Sequence, residues 1–318
     1  MDNSNCVHVG TRPDDPNTGM HVTAGTGCFG DGIMVVAESA EEVVKRRRLP
    51  RLNLPLLAGG ILFTAIFVLL LGLPIVVPLD PEALDYAMIL TGPSAEHWLG
   101  TDALGRDLLA RIVYGGHNSL TIGALVMLVT AVVGTVIGLI AGTIRKLDGL
   151  LMRSMDVLMA FPALLLALAI LAAFGNTALN VVLALSLVYI PRTARIVRGE
   201  ALVLREQTYV EAAEAIGVSR PRVLLVHILP GILPALMVQE TFLFAYAILG
   251  EAGLSFVGLG LQPPEPSWGN ILGEARSSFQ QASWLIFYPG LALGLTVLSL
   301  NLLGDGLGQA IDPKRRQQ

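Results

Sequence analysis

The sequence predicts an all-α membrane protein with six transmembrane helices. Three observations lead there. Of 318 residues, 53% are hydrophobic and only 14% are charged. The mean hydropathy is +0.65, outside the range of soluble globular domains. The apolar residues gather in six segments, each close to the ~20 residues a helix needs to cross a bilayer. With the N-terminus placed inside, all of the 21 basic residues except Arg106, Arg111 and Arg276 fall on one side, the asymmetry that marks a cytoplasmic face. Both chain ends, and the loop between the fourth and fifth spans, are expected in the cytoplasm of a cell whose inner or plasma membrane holds the chain. The net charge of -4 adds nothing, because position, not total charge, orients a membrane protein.

Residues 1–52 are polar and Gly-rich with no hydrophobic period, and read as a disordered cytoplasmic tail. Met20 and Met34 offer alternative starts within it. Both cysteines, Cys6 and Cys28, lie there without metal or disulfide spacing. The membrane domain is read as 53–311. Its first span is 54–77. An outer stretch follows in which Gly100, Gly105, Gly115 and Gly116 allow tight turns, and Asp102, Arg106 and Asp107 can lock them with ion pairs. The second span, 120–144, carries Gly134, Gly138 and Gly142 at four-residue spacing, which permits close helix packing. The third span, 155–174, is interrupted by Pro162, and the fourth, 178–197, by Pro191. A polar loop at about 199–228 leads to the fifth span, 231–252, which contains Pro234. Beyond it, glycines alternate with large apolar residues over 254–260, as in a chain turning back at the membrane surface. Pro263, Pro264 and Pro266 stiffen the next stretch, Trp268 suits the membrane interface, and 270–282 reads as a short interfacial helix. The sixth span is 284–307, and 312–318 form a second cytoplasmic tail.

The polar loop is the most informative stretch. Residues 200–216 contain no Gly or Pro and are rich in Ala, Leu, Glu and Arg, all helix formers. Gly217 stands where a helix C-terminus calls for a left-handed residue. Ala212 and Ala213 leave a bare patch that another protein can approach closely, and Glu211 and Glu214 beside it can pair with basic groups. Pro221 fits the first turn of a second short helix, with Ser219 as its cap. Taken alone, an Ala-Ala pair beside glutamate is also what an ordinary solvated hairpin carries. Within the spans, ionisable groups are functional candidates. Glu240 is near the middle of the fifth span, next to Gln239, and Glu251 is near its outer end. Glu240 and Gln239 either line a polar passage or make an inter-helix hydrogen bond. The histidines His8, His21, His97, His117 and His227 show no ligand spacing, so no metal site is expected. The sequence contains no G-x-x-x-x-G-K-[ST] phosphate loop, no nucleophile elbow and no zinc-protease helix. No catalytic residue and no bound cofactor are expected.

Four motifs in order carry a family resemblance. Glu211-Ala212-Ala213, with Gly217 four residues on and His227-Ile228-Leu229-Pro230 at the close, resembles the "EAA" coupling loop of ABC importer permeases. His97-Trp98-Leu99-Gly100-Thr101-Asp102, continuing through Gly105-Arg106-Asp107 to Arg111, Tyr114 and Gly115, precedes the second span. Ile248-Leu249-Gly250-Glu251-Ala252-Gly253-Leu254-Ser255-Phe256 runs on to Gly260, and Gln262-Pro263-Pro264 to Trp268-Gly269-Asn270 follows. Together they resemble the dipeptide/oligopeptide/nickel class of ABC importer permeases, second or "C" type, over about residues 50–312. The resemblance implies a type I ABC importer permease fold with a cytoplasmic coupling helix. It implies that Glu211, Ala212, Ala213, Gly217, His227 and Pro230 couple to the ATPase. It implies as partners a homologous permease subunit, two cytoplasmic ABC ATPase subunits that use the ATP, an extracytoplasmic solute-binding protein and membrane lipid, and no nucleic acid. The solute would be a dipeptide or oligopeptide, with nickel or a nickel chelate as the alternative. The rival from the residues alone is an ion-gradient-driven secondary transporter or channel, for which Glu240 is the best support.

Overall fold

A computed structural model describes residues Asn53 to Ile311. The two tails read from the sequence, with Cys6, Cys28, His8 and His21, lie outside the described residues. Among the described residues the regular elements are helices: α1 (Leu54–Val76), α2 (Leu108–Thr143), α3 (Arg145–Met159), α4 (Ala163–Phe174), α5 (Ala178–Arg205), α6 (Thr208–Ala215), α7 (Arg220–Val223), a π-helical turn (Leu224–Ile228), α8 (Leu229–Phe256), α9 (Trp268–Glu274) and α10 (Trp284–Ile311). Five helices are long and apolar enough to cross a membrane singly.

The third expected span is the exception. α3 and α4 meet at 89°, so 155–174 is no straight helix, and a sixth span exists only as this broken pair. Pro162 supplies no N–H and forces the residue before it out of the helical region. α4 has 12 residues, about 18 Å of helix against a hydrocarbon core of about 30 Å. α3 is amphipathic instead. Met152, Met155 and Leu158 pack on Ile190 and Ala194. On its polar side, Asp148 and Asp156 accept hydrogen bonds of 2.6 Å from Arg198 and Arg195 of α5.

α2 and α5 form the central pair. A Cβ on Gly138 would lie 2.6 Å from the Ala194 carbonyl oxygen and 2.7 Å from Val197 Cβ, one on Gly134 would lie 2.8 Å from Thr193 Cβ, and one on Gly142 2.8 Å from Ala201 Cβ. The four-residue glycine spacing therefore does what the sequence suggested, along three turns. α1 meets α10 through the same device at Gly59 and Gly306, which the sequence reading did not single out. Apolar burial falls in three main clusters: Leu108, Ile112, Ile248 and Trp268 at one end, Val126, Leu185 and Leu243 in the middle, and Val197, Val210, Val223 and Ile232 at the loop end.

The end opposite the polar loop is locked by charge. Asp102 Oδ1 accepts the backbone N–H groups of Leu104 (2.8 Å) and Arg106 (2.9 Å). Its Oδ2 accepts Arg106 Nε at 2.6 Å and Arg111 Nη1 at 2.7 Å. Glu274 of α9 closes the group, 2.7 Å from Arg106 Nη2 and 2.6 Å from Arg111 Nη1. Asp107 caps α2 by accepting from the Ala110 N–H and pairs with His97 Nδ1 at 2.8 Å. Burial alone would raise the Asp102 carboxyl, but the two backbone N–H groups and the two guanidinium charges outweigh it and hold it below the usual carboxylate range. A depressed folded pKa gives stability that is present above the unfolded value and lost only as the pH falls through the folded one. The lock is therefore expected to survive a pH of 5, read as an unchanged thermal unfolding midpoint between pH 7 and pH 5.

Two expectations in this region change. Trp268 is not on the surface, where it would meet a membrane interface: it is wholly buried, its indole N–H donates to the Ile112 carbonyl at 2.9 Å, and it fits against Gly116 of α2, where a Cβ would come within 2.7 Å of the ring. The short helix begins at Trp268 rather than at 270 and ends at Glu274, with a 3-10 turn to Ser277. Ser267 and Asn270 form its capping box. The turn before it is as expected: Gly258 has φ +89°, and the Leu259 N–H reaches back to the Leu254 carbonyl at 2.9 Å, which ends α8 in a Schellman motif.

Candidate functional site

The polar loop is two short helices folded onto the ends of α5 and α8. The helix expected over 200–216 breaks at Glu206 and Gln207, and α6 begins at Thr208. The break lets α6 fold back, so Val210 and Ala213 join a buried cluster with Val197, Ala201, Val223, Ile228 and Ile232. α6 ends as the sequence predicts. Gly217 has φ +84°, the Val218 N–H bonds the Ala213 carbonyl at 3.1 Å, and the Gly217 N–H bonds the Glu214 carbonyl at 3.0 Å. These are the two bonds of a Schellman motif. Ser219 precedes α7 without a side-chain cap bond, and Pro221 lies in its first turn.

Helical spacing divides the site. Tyr209, Ala212 and Ile216 share the outer face, with Tyr209 48% and Ile216 82% exposed. Val210 and Ala213 share the inner one. Glu211, Glu214 and Gly217 are exposed. This corrects one placement: Ala213 is not part of a bare outward patch but is 6% exposed and packed inside the loop, whereas Ala212 is outside. His227 lies on the π turn, half-buried, and its Nδ1 is buried with no hydrogen-bond partner among the described residues. Pro230 is exposed in the first turn of α8. The Leu229 N–H bonds the Leu224 carbonyl, five residues back. That wider turn suits a chain whose next residue has no N–H to continue the ladder.

The intramembrane carboxylates lie away from this loop. Glu240 is 6% exposed and accepts from Thr193 Oγ1 at 2.7 Å and Thr130 Oγ1 at 3.2 Å. It ties α8 to α5 and α2, the inter-helix alternative of the sequence reading. Gln239 beside it is half-buried. Glu251 is fully buried and accepts from Ser255 Oγ at 2.6 Å and Ser119 Oγ at 2.9 Å. The sequence reading missed these hydroxyls, because a lone Thr or Ser in an apolar run gives no pattern. Glu240→Gln keeps an acceptor for Thr193 and is expected to stay within about 1 kcal/mol of the parent. Glu240→Ala leaves a cavity and an orphaned hydroxyl and is expected to cost about 2–4 kcal/mol. Thermal unfolding of the purified protein in detergent separates the two.

Comparison with known proteins places this architecture. Residues 134–317 match the family model described as binding-protein-dependent transport system inner membrane component. A Brucella abortus biovar 1 (strain 9-941) protein, provisionally named a peptide transport system permease protein, is 48% identical over 238 residues, 75% of this chain and 80% of that protein. The glutathione transport system permease protein of Pectobacterium atrosepticum is 43% identical, over 81% of this chain and 86% of its own length. The dipeptide transport system permease protein of Alkalihalophilus pseudofirmus is 40% identical, over 82% and 86%. Among solved structures, a chain of the MetNI methionine ABC transporter in an inward-facing conformation superposes with a TM-score of 0.54 at 18% identity, covering 64% of this chain and 96% of that one. That likeness shows the fold, the type I importer fold that the motifs implied. By its sequence, the chain belongs to the binding-protein-dependent transport system inner membrane component family.

Proposed function

We propose that this chain is a permease subunit of an ATP-driven peptide importer, and that its α6–α7 loop docks a separate ATPase on the cytoplasmic side. The observation that carries the reading is the outer face of α6. Ile216, 82% exposed, stands beside exposed Ala212 and half-exposed Tyr209, on a segment flanked by Arg205, Arg220 and Arg222. An apolar tip among polar flanks calls for a protein partner. Glu211 and Glu214 flank that face and suit basic groups opposite. Gly217 sets where the chain leaves α6, and His227 and Pro230 set how the loop joins α8. The ATP belongs to the partner subunits, since the sequence carries no phosphate loop of its own. The full assembly is this chain, a homologous permease, two ATPases and an extracytoplasmic solute-binding protein. The named relatives favour peptides, dipeptides or glutathione as the solute, and none of the three named above points to nickel. A binding-protein-dependent family leaves little room for the ion-gradient rival, and Glu240, its best support, is engaged with two threonines.

Ile216→Asp and Ala212→Asp each put a charge into the docking contact, where an unpaired charge costs several kcal/mol. Both variants are expected to insert normally, to lose the co-purifying ATPase and to reduce uptake by tenfold or more. Uptake at the parental rate by both would remove the loop from the coupling mechanism. Orientation is tested with the exposed positions Ser219→Cys and Gln280→Cys, each in a Cys6→Ser, Cys28→Ser background. A membrane-impermeant thiol reagent added to intact cells is expected to label the second and spare the first.

A further inference from the structure

Arg192 is the midpoint of α5, fourteen residues after Ala178 and thirteen before Arg205. Its 28 residues make about 42 Å of helix against a hydrocarbon core of about 30 Å. With Ala178 at the far edge of the hydrocarbon and the whole excess on the loop side, Arg192 lies about 9 Å inside the loop-side edge. Its neighbour Thr193 bonds Glu240, which is near the middle of α8. The guanidinium does not reach toward the loop end. It stacks over Tyr246, 5.0 Å from the ring centre, six residues beyond Glu240 in the opposite direction. Helical side chains lean toward their own N-terminus, and for α5 that direction leads deeper into the membrane.

The charge is also unusual in what surrounds it. Arg195 and Arg198, one and two turns on, are neutralised by Asp156 and Asp148. Arg192 has no carboxylate partner among the described residues, and it is exposed on the surface of the chain beside Tyr246, itself 45% exposed. The Tyr189 hydroxyl donates to the Tyr246 carbonyl at 3.1 Å and fixes α5 against α8 there. An unpaired cation at this depth belongs against a water-filled cavity rather than lipid.

We infer that the Arg192–Tyr246 pair faces the translocation pathway and is the point at which a carboxylate side chain of the passing solute is held. This rests on the importer reading and adds a charge preference to it. A guanidinium takes a carboxylate in a fork of two hydrogen bonds. A fixed cation in a pore eases anionic groups past and hinders cationic ones.

Two measurements on the assembled importer in proteoliposomes test it. The first is the ratio of uptake rates for Ala-Glu and Ala-Lys, each at saturating binding protein. Arg192→Gln is expected to lower the Ala-Glu to Ala-Lys ratio about tenfold, and Arg192→Lys to restore most of it, with ATP hydrolysis still stimulated. An equal fall for both peptides means a packing role or a salt bridge to the partner permease, and overturns the inference. The second needs no peptide. Leu249→Cys, three residues from Tyr246 on an exposed face, is placed in a Cys6→Ser, Cys28→Ser background and labelled with a negatively and a positively charged methanethiosulfonate. Rapid labelling is expected, with the negative-to-positive rate ratio falling several-fold on adding Arg192→Gln. No labelling means lipid or protein covers the face, and an unchanged ratio means Arg192 is remote from the water. Either outcome overturns the inference. Failure of the parental importer to take up either dipeptide strikes the peptide reading instead, and the labelling then decides for or against the anion site alone.

Discussion

Arg111→Ala is expected to destabilise the protein by about 3–5 kcal/mol, the usual cost of removing one member of a buried ion pair. Arg111 is 1% exposed and meets two carboxylates, Asp102 and Glu274. Its loss leaves Arg106 alone against both acids. The Asp102 side chain, at 6% exposure, cannot turn to solvent, whereas Glu274, at 35%, can. The reverse deletion, Glu274→Ala, is therefore expected to cost clearly less. Arg111→Lys supplies charge without the fork and is expected to fall between the two. Thermal unfolding in detergent of the three variants gives the order. If Arg111→Ala unfolds at the parental temperature, the lock contributes nothing to holding α9 against the start of α2.

Gly138→Leu carries the second large effect. Its first side-chain carbon alone would collide with the Ala194 carbonyl and Val197, and neither can rotate away. Overpacking usually costs about 1–3 kcal/mol where side chains can adjust. Here the adjustment must be a separation of α2 from α5, and Thr193, one residue from Ala194, would be drawn off Glu240. A loss above that range is expected, seen as a subunit that fails to accumulate or that unfolds in detergent at ordinary temperature. Gly199 is the control. A Cβ there meets nothing within 4 Å, so Gly199→Ala is expected to be neutral or to stabilise by up to about 1 kcal/mol. Equal damage from both would mean that glycine matters in these helices for reasons other than contact.

Much of this architecture was legible because membrane spans are read from composition and length. Gly217 was legible for a local reason: a helix end needs a residue tolerant of positive φ, and only one glycine was near. What escaped depends on direction or on distance along the chain. Hydropathy sums residues without regard to where a helix points, so 155–174 counted as one span although Pro162 turns it through 89°. Ala212 and Ala213 are chemically alike, and only the placement of α6 sends one outward and the other inward. One of the two partners of Arg111, Glu274, is 163 residues away. Trp268 was assigned by what tryptophans usually do, whereas Gly116 of α2, against which its ring packs, was read as a turn residue. Arg192 was absorbed into the count of basic residues near the polar loop, where one charge at mid-membrane depth is hidden by its neighbours.

The π-helical turn at Leu224–Ile228 has a consequence for phase. An α-helix advances about 100° per residue, and a π turn holds one residue more than the α-helical turn it replaces. The chain between Gly217 and Glu240 therefore contains one residue that a regular helix would not need. Deleting Leu225 would let that turn close as an ordinary one. Because the turn would still close once about the axis, the residues on either side of it would keep their headings. Glu240 would still meet its threonines, and the face bearing Ala212 and Ile216 would look the same way. Deleting Val238 from the regular helix beyond the turn would instead rotate the loop by about 100° about the α8 axis relative to Glu240, so the π turn is where this stretch can lose a residue without re-aiming the outer face of α6.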